Sequence, residues 1–222
     1  MTRDDLTIIY YTANREDEVF EAKIRAKLLE QIGDMPLISV SQKPIENFGT
    51  NICVGEQPYC DATAHRQLLI GLEAATTAFC IAAESDCIYP PEYFTFIPPT
   101  LDNVYRLDNI WLLFGWHGRQ TKGLFWKKPL CEGAQMCGRE QWITSLKYAL
   151  RGINGWELKR PPLVFKTRLQ YSWTSENPVV SFKSRNGLRK FAGTYKADDK
   201  NPASELPYWG TANDLRKEFF NQ

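Results

Sequence analysis

The chain has 222 residues, 43% hydrophobic and 13% aromatic, which is enough apolar material for a substantial core and excludes a disordered chain. Its six cysteines form no CxxC pair and are too sparse for a disulfide scaffold, and two histidines leave little for zinc; buried free thiols are expected. The net charge of +1 conceals a division: residues 1–114 hold 8 Lys/Arg against 17 Asp/Glu (−9), residues 115–200 hold 17 against 6 (+11), and the tail holds 2 against 3 (−1). Leu6 to Thr12 is a β-branched and aromatic run that reads as a buried strand. Asn14 is placed to cap the following helix, whose first turn carries acids at 16, 17 and 18 and whose stripe is Phe20, Ile24, Leu28 and Ile32, ending at Gly33. Pro36 to Ser41 is a second strand, and Gln42 to Cys60 a loop.

Asp61 caps a second helix, Ala62 to about Ala78, with Ala64, Leu68, Leu72 and Ala75 on one face. Phe79 to Ala83 is an apolar strand that stops at Glu84-Ser85-Asp86 and a proline turn. Beyond Pro98-Pro99 a strand is expected over 109–114, and a basic, Trp-rich loop or hairpin over 115–129. A short strand over 133–138 then leads into a helix over 139–150 with Trp142, Leu146 and Leu150 in line. Loops and short strands fill 151–210, and Asn213 caps a last helix through Phe220. The alternation of strands and helices predicts an α/β fold with a mainly parallel sheet flanked by helices. One domain is expected, with residues 1–100 as a donor-binding half and 101–222 as a basic acceptor-binding half. No apolar run approaches the roughly 18 residues of a membrane span, and the N-terminus lacks a basic-then-apolar leader, so a cytoplasmic protein is expected.

The chemistry concentrates at strand ends. In an extended segment, residues i and i+2 share a side, so Glu84 and Asp86 are expected to aim two carboxylates at one point. Hard oxygen ligands so placed suit Mg²⁺ or Mn²⁺ shared with a substrate's phosphates. Ligands of open parallel sheets collect beyond the carboxyl ends of the strands. Thr12, Ala13, Asn14 and Gln42 also fall at predicted strand ends and can share that cleft. Arg66, early in its helix, faces either a phosphate or a surface salt bridge, and His65 reads as a surface histidine.

The ordered set Ile8-Ile9-Tyr10-Tyr11-Thr12-Ala13-Asn14, Ile38-Ser39-Val40-Ser41-Gln42-Lys43-Pro44, Arg66 to Ala75 and Glu84-Ser85-Asp86 resembles the GT-A glycosyltransferases, particularly small family-2-like members of bacteria and their phages. The resemblance covers residues 6–96, with Gly133 to Glu140 similar to the strand-to-helix step on the acceptor side. It implies transfer of a sugar from a nucleotide-sugar donor, a UDP-sugar first, with Mn²⁺ or Mg²⁺. The triplet would be the DxD motif, Asp86 the direct metal ligand, and Glu84 a ligand through water or a contact to the donor. Thr12, Ala13, Asn14, Gln42 and Arg66 would serve the nucleotide. Glu140 would be the base that takes the acceptor's proton, with Glu132 as fallback. His117 is the histidine left to complete the metal shell, unless another oxygen donor or water does so.

The basic half interleaves rings and cations at Trp116, Arg119, Lys122, Phe125, Trp126, Lys127 and Lys128. The pattern recurs at Lys159, Arg160, Lys166, Arg168, Tyr171 and Trp173, and the cations continue at Lys183, Arg185, Arg189 and Lys190. Such patches neutralise phosphates and stack bases or sugars. With the phage-like resemblance they point to DNA carrying a hydroxymethylated pyrimidine as acceptor. A cell-surface or lipid-linked glycan, and a non-catalytic nucleic-acid-binding module on the same fold, are the alternatives.

Overall fold

The structure, a computed structural model, describes residues 5–115, 123–128, 132–157, 170–184, 186–187 and 202–220. In chain order the first elements are β1 (Leu6–Thr12), α1 (Glu18–Ile32), β2 (Leu37–Ser41), β3 (Thr50–Cys53), α2 (Asp61–Ala74), β4 (Phe79–Glu84), β5 (Cys87–Ile88), β6 (Val104–Leu107) and β7 (Ile110–Phe114). There follow β8 (Phe125–Lys128), β9 (Gln135–Gly138), α3 (Arg139–Ala149), β10 (Gln170–Trp173), β11 (Val179–Lys183), β12 (Glu205–Leu206), β13 (Gly210–Thr211) and α4 (Ala212–Phe220).

Seven strands form the main sheet in the order β10-β6-β9-β4-β1-β2-β3. All of its pairings are parallel except those of β9, which runs against both β4 and β6. Both faces are covered, which explains why β1 reads as a continuous apolar run. Ile9 and Tyr11 pack with Leu68 and Leu72 of α2 and Trp142 and Leu146 of α3. Ile8 and Tyr10 face the other side with Leu28 and Ile32 of α1. Gly71 lets α2 approach β1 closely, because a Cβ there would stand 2.5 Å from Ile9 Cγ2.

A second sheet, β5-β11-β7-β8, joins early and late segments of the chain. Its core draws on Phe20 and Ile24 of α1, Phe182 of β11, and Leu215 and Phe219 of α4. The stripe of α1 is therefore shared: its first half packs on the second sheet and its second half on the first. Strand pairs cross residue 100, β9 with β4 and β11 with β5.

Some local expectations are corrected. Asp17, not Asn14, caps α1 by accepting the Phe20 N–H at 3.1 Å, and Thr211, not Asn213, accepts the Asp214 N–H at 3.1 Å at the start of α4. Helix α2 begins at Asp61 and stops at Ala74, where Ala75 turns extended. The predicted loop over 42–60 contains β3, paired with β2. Of the described cysteines, Cys80, Cys87 and Cys137 are buried free thiols, and burial pushes Cys80 up to about 12. Among the described residues no helix is long and apolar enough to cross a membrane.

Candidate functional site

β1 and β4 are neighbours in register, Tyr11 opposite Glu84, so both deliver their carboxyl ends to one edge of the main sheet. The Tyr11 hydroxyl donates to Glu84 Oε1 at 2.7 Å. Tyr89 supports the strand end from below: its hydroxyl accepts the Glu84 N–H (2.9 Å) and donates to the Gly133 carbonyl (2.7 Å). Gly133 is there because a Cβ would stand 2.3 Å from Glu84 Oε2.

The strand ends at Glu84, and Ser85-Asp86 form a turn into β5. The acids therefore converge through a tight turn, not through the alternation of an extended segment. Ligand atoms of Glu84, Asp86 and Cys87 lie within 4.8 Å of one another. The two carboxylates suit a hard divalent cation, whereas the Cys87 thiol is a soft ligand and donates to Asp86 Oδ1 at 3.3 Å. β11 fixes the turn from the second sheet. The Phe182 N–H donates to the Asp86 carbonyl at 2.7 Å, and the Lys183 ammonium pairs with Asp86 Oδ2 at 3.4 Å.

Beside this turn, the β1–α1 loop is organised around Glu21, a buried carboxylate. It accepts Thr12 Oγ1 (3.1 Å), Asn14 Nδ2 (3.2 Å) and the Arg25 guanidinium (3.3 Å). Burial pushes its carboxyl above the usual range, against the pull of the Thr12 hydrogen bond and the Arg25 charge. Asn14 sits at φ 49°, a left-handed conformation that asparagine tolerates, and its Oδ1 accepts the N–H groups of Gln42 and Lys43, both at 2.9 Å. Gln67 of α2 donates to the carbonyls of Thr12 and Val40, tying β1 to β2. Thr12, Asn14 and Gln42 thus do meet at one edge, but much of their hydrogen bonding shapes the loop. Gln42 Nε2 is buried and has no hydrogen-bond partner among the described residues.

No protein-family profile and no curated protein sequence matches the chain. Among solved structures it is similar to a protein of Aquifex aeolicus VF5, with TM-score 0.50 and 9% identity over 79% of this chain and 89% of that one. It is also similar to a glycosyltransferase involved in the glycosylation of the major capsid of PBCV-1, with TM-score 0.47 and 14% identity over 79% and 92%. A third is S. aureus TarS 1-349 in complex with UDP-GlcNAc, with TM-score 0.45 and 11% identity over 85% of this chain and 60% of that one. The likeness is one of fold. It agrees with the α/β architecture, a mainly parallel sheet flanked by helices, seen in the strands themselves.

Other expected residues lie elsewhere. Glu140 is not brought to the acids: β9 runs against β4 and pairs Gly138 with Phe79, so α3 starts at the opposite edge of the sheet. The Arg139 N–H donates to the Ala78 carbonyl at 2.9 Å, and Glu140 is an exposed partner of the Arg139 guanidinium. Glu132 lies in the turn before β9, next in sequence to Gly133, and it is Gly133 that adjoins Glu84. Arg66 donates to the Ile153 carbonyl at 3.0 Å and lies over the Trp156 ring, while His65 Nδ1 is 2.6 Å from the Asp61 carbonyl. Ala13 lies between Thr12 and Asn14 in the loop. His117 lies outside the described residues, as do Trp116, Arg119, Lys122, Lys159, Arg160, Lys166, Arg168, Arg185, Arg189 and Lys190.

Of the interleaved aromatic and basic residues that are described, most serve packing. Phe125 and Trp126 are buried, Trp173 stacks on Phe96 at 4.4 Å, and Lys127 bonds Asn109 Oδ1 at 2.9 Å. Tyr171 keeps an exposed face and stacks on Tyr105. Lys183, counted among the acceptor-side cations, belongs instead to the acid turn. Glu21 and Tyr89 have no sequence signal beyond core or loop, and Tyr11 and Gly133 stand only as members of longer runs. Lys183 had only its place at the end of the apolar run Val179 to Phe182.

Proposed function

We propose that the chain is a metal-dependent glycosyltransferase, moving a sugar from a nucleotide-sugar donor to an acceptor hydroxyl. The observation that carries this reading is the convergence of Glu84 and Asp86 at the carboxyl edge of β4, beside the end of β1 and its ordered loop. The donor set fits Mg²⁺ or Mn²⁺: Asp86 and Glu84 would hold the ion, which would supply positive charge against the leaving diphosphate. A UDP-sugar is the first donor to test. Thr12, Ala13, Asn14 and Gln42 would bound the nucleotide, with the buried Gln42 amide as a hydrogen-bond donor still to be satisfied.

In an inverting transfer, the bond from the anomeric carbon to the diphosphate oxygen breaks as the acceptor oxygen bonds to that carbon, and the acceptor's proton passes to a base. Glu132, the residue before Gly133, takes that role in this proposal in place of Glu140, which starts its helix at the opposite edge of the sheet. For the acceptor, the excess of cations in residues 115–200 supports a polyanion, and hydroxymethylated pyrimidine in DNA is the acceptor we propose. A donor screen by mass spectrometry with unmodified, hydroxymethylcytosine and hydroxymethyluracil DNA tests the whole reading. Addition of a sugar mass to a hydroxymethylated DNA is expected. Transfer only to a glycan acceptor would overturn the DNA assignment, and no consumption of any nucleotide sugar would overturn the enzyme.

A further inference from the structure

Lys183 reaches the acid turn by construction. β11 pairs with β5 in antiparallel register, Ser181 opposite Cys87 and Val180 opposite Ile88, which continues to place Phe182 and Lys183 along Asp86 and Ser85. The Phe182 N–H on the Asp86 carbonyl fixes that register, and the side chains of Lys183 and Asp86 are only 16% and 22% exposed. The following residues are anchored on the same side. Ser184 Oγ donates to Glu16 Oε1 at 2.6 Å, and the Asn186 carbonyl accepts the Tyr59 hydroxyl at 2.8 Å. Glu16, Glu84 and Asp86 act electrostatically on Tyr59 together with the Arg15 guanidinium, which lies 4.8 Å over its ring, so Lys183 and Arg15 stand among three carboxylates and Lys183 is the one paired with Asp86.

Carboxylates crowded in this way need compensating charge, which either an ammonium or a divalent cation can supply at Asp86. The two compete, because each favours the same anionic oxygens and repels the other. A nucleoside diphosphate changes the balance by adding negative charge of its own. Lysine suits such an exchange: it is a point charge on a flexible stem, without the fork that would lock a guanidinium on the carboxylate.

Resting on the metal site proposed above, we infer that Lys183 is the site's exchangeable cation. Its ammonium holds Asp86 before metal and nucleotide bind, moves to the phosphates of an arriving nucleotide, and so frees Asp86 for the divalent ion. Metal and nucleotide then bind cooperatively, each weak without the other.

Calorimetric titration of the full chain tests this without any turnover, using Mn²⁺ alone, UDP alone in chelator, and the two together. Lys183→Met is expected to bind Mn²⁺ alone roughly fivefold more tightly than wild type and UDP alone roughly fivefold more weakly. Lys183→Arg, which keeps the charge and the packing, is expected to bind Mn²⁺ alone no more tightly than wild type. It remains a usable comparison if the methionine variant does not fold. Equal Mn²⁺ affinity in wild type and Lys183→Met, or tighter Mn²⁺ binding by Lys183→Arg, would overturn this inference alone. No Mn²⁺ binding by any of the three proteins would overturn the metal site and the inference with it. Measured Mn²⁺ binding with no sugar transfer would leave the exchange standing and remove the transferase reading.

Discussion

The two sheets meet at Asp86 and are built in different ways. In the main sheet, β1, β2 and β4 are linked by α1 and α2; β1 pairs with the nearby β2 and, across 73 residues, with β4. In the second sheet, β5 pairs with β11 across more than ninety residues, and the Lys183–Asp86 pair spans 97. The first sheet ends at Glu84, and the second supplies the backbone bond and the cation that hold Asp86. The carboxylate edge therefore follows the regular βαβ order of the first half of the chain, while its electrostatic setting depends on a strand from the far end of the chain.

The largest effect should come from weakening the second sheet. Phe182 is fully buried and packs against Phe20 and Phe219, so Phe182→Ala should cost about 3–5 kcal/mol in denaturant unfolding. If β11 holds the acid turn, the variant should also lose Mn²⁺ affinity below its melting transition. Unchanged Mn²⁺ binding would show that the first sheet sustains the site by itself.

A change confined to the first sheet's edge should separate site from stability. In Gly133→Ala the new methyl meets the Glu84 carboxylate, which must rotate away from Tyr11. Donor turnover should fall roughly 10- to 100-fold. The loss of stability should stay below about 2 kcal/mol, since the end of one side chain yields. A larger stability loss with intact turnover would contradict the placement of Glu84.

A smaller effect concerns pH. Burial raises the carboxyls of Glu21 and Glu16 above their ordinary value of 4.5, so the native state holds those protons more tightly than the unfolded chain. Their contribution to stability is complete below about 4.5 and declines as pH rises through the raised values. Glu21→Gln removes one of these groups, so its melting temperature relative to wild type should climb across that interval, by about 2–4 °C for each kcal/mol in a chain of this size. A difference that stays flat with pH would assign Glu21 an ordinary carboxyl.

The same division explains what the sequence discloses. Period and capping signals are local, so β1, α1, β2, α2, β4 and α3 are legible, with the stripes Phe20-Ile24-Leu28-Ile32 and Trp142-Leu146-Leu150 buried as expected. Caps are less legible where polar residues crowd: Asp17 lies closer to its helix than Asn14, whose amide is engaged by Gln42, Lys43 and Glu21. Strand direction is not written in hydrophobic pattern. The run 133–138 reads as a strand either way, and only its antiparallel insertion beside β4 sends Glu140 to one edge and leaves Glu132 at the other. Nor can composition distinguish a cation facing an acceptor from Lys183 facing Asp86.

In the proposed function, the Glu84–Asp86 turn holds a divalent cation for a nucleotide sugar. Release of nucleoside diphosphate from a panel of nucleotide sugars, with Mn²⁺ and with chelator, for wild type and Asp86→Ala, tests it most directly. We expect at least one donor to be turned over with Mn²⁺ only, and turnover to fall at least about 100-fold in a normally folded Asp86→Ala protein. Turnover that survives chelation or the substitution, or no turnover of any donor, would contradict it.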